Sequence, residues 1–449
     1  MRKFSFFLIA FLSGLFAVGQ APLYLGTKTP YVAPAVSYTP PPAGFKPVFV
    51  NYAGRHGARY MTKAGADVDA LRLLEAADKV QGLTETGRKV EGMVRKLCEV
   101  EKGQYENITL LGAEEQEAIG SRMLSRYGPA FTGRGIDVVV TYKVRTQQSA
   151  DAFLKGLAGY KGQRRFSKQP DSLDAVLRFY DLSPAYQQYK KSAGLKKVFD
   201  SLDRDRRTAA AAAAVSERVF TAGFRAGMKA GEELKFAANL YDLYSVQFSL
   251  VRETKDGVDL GIAFGKDELS WEDYASGAQD FLEKGPGRDP LGIQVKVAAP
   301  LLADFIRTTD GIVGRRGMGK GDERGGDAAD AVLRFTHAEA ISPFATLLGI
   351  PEASVPAAGI YTYHEHWQAE KVIPLSANIQ WIVYGNGKEY LVKVLLNERE
   401  VRLPRLGVFA AGGGVYYRWE DLRAYCLGRL KAVGAELDGN QVEYLKKLR

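Results

Sequence analysis

Apolar residues recur along this chain at two spacings, and the switches between them mark out the elements. Residues 48–52 (VFVNY) form a short run rich in β-branched and aromatic side chains, which predicts a strand. Residues 68–80, 83–101 and 112–127 carry apolar side chains three and four positions apart, which predicts helices. The last of these has Glu114 and Glu115 in its first turn, where acids complement the helix dipole. A second strand, 137–142 (DVVVTY), precedes a helix over 146–157. From about 161 to 324 the pattern is mostly helical, and the six alanines 209–214 read as a close-packed helix. Residues 311–326 are glycine-rich and predict a mobile linker. They do not complete a phosphate-cradling P-loop, because Gly319-Lys320 is followed by Gly321 where a hydroxyl residue is needed. Strands resume at 331–335, a helix at 343–348, and strands 378–384 and 389–396 predict a hairpin across Gly385-Asn386-Gly387. Residues 419–430 predict the last helix before a polar tail. The order predicts an α/β fold: a central, mostly parallel sheet flanked by helices, built from 45–160 and 325–449, with an α-helical cap inserted at 161–324.

The first residues follow different rules. Arg2 and Lys3 precede an apolar run from Phe4 to Val18, and Ala17-Val18-Gly19 offers small residues for cleavage. Residues 1–19 therefore read as a signal peptide, too short for a stable span, and predict a secreted or periplasmic protein. Residues 20–44 are proline-rich and read as an extended arm into the first strand. The formal charge of the 449-residue chain is +9, and losing Arg2 and Lys3 lowers it by two. The basic residues are scattered, which speaks against nucleic acid and leaves a small polyanion as the better partner. Cys98 and Cys426 are the only cysteines; one long-range disulfide and two buried thiols are both open.

Candidate chemistry gathers at the ends of the expected strands. The first is followed by Arg55-His56-Gly57-Ala58-Arg59, the second by Arg145, and the third by His337 and Glu339. Ligands in open α/β sheets bind at such ends. Imidazole is nucleophilic enough to take a phosphoryl group, so His56 is the candidate nucleophile. Arg55, Arg59, Arg145 and His337 are candidates to hold phosphoryl oxygens. Glu339 is the candidate acid, since a departing alkoxide needs a proton. His364 and His366 flank Glu365, but with four histidines in all and no HExxH or cysteine cluster a metal centre is not expected. No G-x-S-x-G elbow is present.

These same segments resemble the acid phosphatase branch of the histidine phosphatase superfamily, and within it the multiple inositol polyphosphate phosphatases. NYAGRHGARYMTK (51–63) is similar to the family's nucleophile loop and LLGAEEQEAIGSRMLSRYGPAF (110–131) to its following helix. VRTQQSADAFLKGL (144–157) resembles the segment with the distal phosphate-binding arginine. RFTHAEAISPFATLLGI (334–350) carries HAE where other acid phosphatases carry HD, and 372–398 is also similar. The resemblance implies a two-domain phosphatase acting on phytate and lower inositol phosphates, without metal or organic cofactor. His56 would be the nucleophile, Arg55, Arg59, Arg145 and His337 would bind the scissile phosphate, and Glu339 would donate the proton. Lys63 falls where a family basic residue faces the substrate's other phosphates. Met61 stands where the family commonly has proline. Ser183 and Tyr244 stand where relatives often carry cysteine, so those relatives' disulfides are not expected here. A broad acid phosphatase and a non-catalytic inositol phosphate-binding protein remain the alternatives.

Overall fold

The computed structural model describes residues 23–171, 174–255, 257–317, 329–404, 406–407 and 414–449. Strand β1 (Lys46–Arg55) lies at the centre of an eight-stranded sheet with β2 (Ile136–Val140), β3 (Arg164–Lys168), β4 (Ala331–Thr336), β5 (Asn378–Gly385), β6 (Tyr390–Leu396), β7 (Arg399–Glu400) and β8 (Tyr416–Arg418). The order is β3-β2-β4-β1-β5-β6-β7, with β8 also on β6. The first four strands run parallel, and β5 to β8 extend the sheet by antiparallel pairs.

Successive side chains along β1 serve two cores. Val50 and Tyr52 pack with Leu333, Phe335 and the helices Leu110–Tyr127 and Val144–Gly156, whereas Phe49 and Ala53 pack with the helices Ala299–Gly317 and Ala338–Leu348. Both faces are covered, which explains the near-continuous apolar reading of these strands. A third core joins helices Ala66–Asp78 and Glu85–Glu101 to Arg206–Val219 and Glu232–Gln247.

Several expectations shift. β1 runs to Arg55, beyond the expected end at 52, because Ala53 to Arg55 still pair with Arg334 to Thr336. β3 falls inside the stretch read as a helical insertion; as an edge strand with four of five residues exposed (RRFSK), it carries no apolar signal. The helix Ala299–Gly317 also belongs to the sheet layer: Asn51 Nδ2 donates to Phe305 O, and Arg334 bridges Asp304, Thr308 and Asn51. Conversely, the helices of 66–101 share their core with 212–264. The boundaries of a helical layer therefore do not coincide with 161–324. Residues 311–317 are helical rather than linker, and 318–326 lie outside the described residues, as does the expected signal peptide. The polar tail contains a further helix, Gln441–Lys447, capped by Asn440 and anchored by buried Leu445.

Cys98 and Cys426 are free thiols in different cores, so the long-range disulfide does not form. The described part of the arm, from residue 23, is held to the body. Tyr31 N–H donates to Glu115, Tyr31 Oη to Glu398, and Lys28 to Asp242. Among the described residues no helix is long and apolar enough to cross a membrane.

Candidate active site

Three parallel strands deliver the candidate residues to one place. His56 follows β1 directly, and its backbone N–H donates to Thr336 O at 3.1 Å, which ties the ends of β1 and β4 together. His337 follows β4 and directly precedes the helix Ala338–Leu348; the two imidazole centroids are 5.6 Å apart. That helix begins five residues before the expected 343. Pro343 is an interior residue, not the start, so Glu339 sits in the first turn beside the site. Arg145 is in the first turn of the helix that follows β2.

The rings are oriented by what their nitrogens touch. His56 Nδ1 is 2.9 Å from Gly57 O. A carbonyl only accepts, so Nδ1 carries the proton and Nε2 keeps its lone pair. Burial, then the charges of Arg55, Arg145, Arg59 and His337, push the His56 pKa well below its usual value. His337 Nε2 lies 3.1 Å from Thr141 Oγ1, while Nδ1 has no partner among the described residues.

Unsatisfied donors surround these rings. Arg55 spends Nη1 on Thr27 O and Ile373 O, both at 2.6 Å, and Arg59 spends Nη1 on Tyr60 O at 2.7 Å. Among the described residues, Arg55 Nε, Arg59 Nε, Arg145 Nε and His337 Nδ1 are buried with no hydrogen-bond partner, and Arg145 Nη1 has only the ion-pair contact with Glu106. Buried polar atoms are nearly always paired, so such a group needs a reason. Burial lowers the Arg55 and Arg59 pKa values to about 10, with Arg145 adding to the effect on both. Burial lowers that of Arg145 too, despite Glu106 at 3.5 Å. Three crowded, desolvated guanidinium groups make a place suited to an anion, which would relieve their repulsion and fill their free N–H groups.

Glu339 differs from the others. Its side chain is 36% exposed, and Lys284 Nζ is 3.4 Å from Oε1. Burial of the carboxyl works against its charge. Lys284, His337, its own backbone N–H and Arg55 overcome that and hold its pKa well below the carboxylate range. Lys63 lies exposed on the loop after β1 and, among the described residues, makes no hydrogen bond with this cluster. His364 and His366 lie apart, in and just after the turn Tyr363–Glu365, and no group of three or more metal-ligating side chains occurs among the described residues.

The family model described as "Histidine phosphatase superfamily (branch 2)" matches residues 49–397, which contain this whole cluster. The chain belongs to that superfamily. Among solved structures, it is similar to the multiple inositol polyphosphate phosphatase of Bifidobacterium longum crystallised with inositol hexasulfate. The TM-score is 0.76 at 25% identity, covering 90% of this chain and 97% of the other. The same enzyme with phosphate gives 0.75 at 24%, over the same shares. The phytase of D. castellii shares the fold at 0.65 and 16%, covering 92% of this chain and 88% of that one. No curated protein sequence matches the chain.

The residues of this histidine phosphatase that sequence reasoning passed over form the support beneath the cluster. Glu115 takes Ala58 N–H and Ser376 Oγ–H on one oxygen and Tyr31 N–H on the other. Gln116 donates to Arg55 O, Ser149 accepts Gly57 N–H, and Thr141 contacts His337. The helix starts at Leu110 with Thr109 as its cap, so Glu114 and Glu115 are not first-turn acids as expected; Glu115 and Gln116 are buried one turn further on, and nothing in their spacing marks that burial.

Gly57 and Gly112 let the loop and the helix Leu110–Tyr127 touch backbone to backbone. A Cβ on Gly112 would meet Ala58 O, and one on Gly57 would meet Gly112 O. We expect Gly112→Ala to cost about 1–3 kcal/mol and to lower turnover by displacing the loop. Gly92→Ala, on an open helix surface, should be neutral or slightly stabilising. Thermal melts and kcat of the two variants check the contrast; equal behaviour would contradict it.

Proposed function

We propose that this chain is a phosphoric monoester hydrolase that removes phosphates from phytate and lower inositol polyphosphates through a phosphohistidine. The observation that carries the reading is the set of buried nitrogens on Arg55, Arg59, Arg145 and His337 that have no hydrogen bond among the described residues, beside an imidazole whose Nδ1 is committed to Gly57 O. The substrate class draws support from the similarity to a Bifidobacterium longum enzyme of that name, crystallised with a hexasulfate of inositol. Export by the leader at 1–19 belongs to the same proposal.

In the first step His56 Nε2 attacks phosphorus while the ester P–O bond breaks, its electron pair leaving on the alkoxide oxygen. Glu339, ionised in the free site, takes up a proton as the substrate's negative charge offsets the surrounding cations, and gives it to that oxygen. The three arginines and His337 hold the equatorial oxygens as their charge redistributes. In the second step Glu339, now a carboxylate, takes a proton from water; the oxygen attacks phosphorus, the P–N bond breaks, and phosphate leaves. Lys63, exposed on the loop after β1, is assigned to a distal phosphate of the same substrate.

The electrostatics carry a pH expectation. A histidine whose folded pKa is depressed stays neutral, and hence nucleophilic, to lower pH than free imidazole at about 6.5. The acidic limb of kcat/KM should therefore lie below pH 6.5. A limb at or above it would contradict the assignment.

Comparison of kcat/KM for phytate, glucose 1-phosphate and an aryl phosphate, with chromatography of early products, tests the substrate. Preference for phytate with stepwise appearance of lower inositol phosphates is expected; preference for the simple esters would make this a broad acid phosphatase.

A further inference from the structure

Two carboxylates share one ammonium at the rim of the anion cluster. Lys284 directly follows the helix Lys266–Glu283, one turn after Asp280. Its Nζ donates to Asp280 Oδ1 at 2.6 Å and stands 3.4 Å from Glu339 Oε1. Lys284 and Asp280 are 17% and 13% exposed, so neither charge is left to water. The short bond to Asp280 fixes the lysine; the longer contact aims it at Glu339. This pair comes from the helical stretch between β3 and β4, far in sequence from the strand ends that carry the other site residues.

We infer that Lys284, anchored by Asp280, is a positioning residue for the reaction: it aims the Glu339 carboxyl group and sets how readily that group holds a proton. The inference rests on the reading of Glu339 as proton donor. The second step needs Glu339 as a carboxylate, which a neighbouring ammonium favours. The first needs it protonated, and the substrate's own phosphates offset the ammonium when they arrive. Other charged and titratable groups also face Glu339: His337 beside it, Arg55 and Arg59 from the loop after β1, Arg145 from its helix, and Tyr180 and Tyr186 from the adjoining helices. Lys284 is the one cation among these whose removal leaves the scissile phosphate's proposed donors in place.

The test uses the full chain with Lys284→Met combined with Asp280→Asn, so that no lone carboxylate is left buried, alongside Lys284→Arg. The basic limb of the kcat profile on phytate, where Glu339 loses its proton, should move up by about one pH unit or more in the double variant. It should stay near the wild-type position in Lys284→Arg. On an aryl phosphate, whose leaving group needs no proton, the rate of phosphoenzyme formation should change less than about threefold. An unmoved limb with a raised KM for phytate would overturn the inference and make Lys284 a substrate contact. Equal losses on both substrates at every pH would overturn it as a merely structural effect. Failure of the underlying reading shows separately: Glu339→Gln would then lose as much on aryl phosphate as on phytate.

Discussion

Alanine in place of His56 is expected to lower kcat on phytate by about a thousandfold or more, while binding of inorganic phosphate persists. Truncation removes the proposed nucleophile, Nε2, which carries the lone pair of the ring because Nδ1 is committed to Gly57 O. The binding groups stay. Arg55 is held by Thr27 and Ile373, Arg59 by Tyr60, and His337 by Thr141, none of them through His56. The loop backbone also keeps its bonds to Thr336, Ser149 and Glu115. The melting temperature should therefore change little, and calorimetry should still detect phosphate. Appreciable residual turnover would contradict the assignment, and loss of phosphate binding would show that His56 holds the site together instead.

Glu339→Gln should discriminate between substrates. With phytate the leaving alkoxide is strongly basic, and loss of a positioned acid should slow the first step by about a hundredfold to ten-thousandfold. With an activated aryl phosphate the same step should slow by less than about tenfold. The amide keeps the shape of the carboxyl but cannot supply the proton. It also removes a negative charge from beside Arg55 and His337, so anion affinity should rise modestly. Side-by-side kcat values for the two substrates measure the split; equal losses would remove Glu339 from the role of acid.

How much of this is legible in the chain depends on distance along it. β1, β2 and β4 carry apolar runs because both sheet faces are covered, and each run is followed within five residues by its candidate residue, so His56, Arg145 and His337 are readable together. β3 is invisible because an edge strand exposed on both sides needs no apolar residues. The start of the helix at Ala338 is hidden by Pro343, which reads as a first-turn proline although it lies in the interior. Lys284 is hidden for another reason: an ion pair across 55 residues leaves no spacing pattern, and a lysine after a helix ordinarily means solvent. The mixing of 66–101 with 212–264 likewise follows from tertiary packing, which periodicity does not encode.

In the proposed reaction the phosphoryl group passes through His56. Wild-type protein mixed with phytate, quenched in base within the first turnover and digested, should yield the peptide containing residues 51–63 with one phosphoryl group on His56, since phosphohistidine survives alkali. Phosphate release accompanied by an unmodified His56 at every quench time, with direct attack of water as the remaining route, would contradict the account.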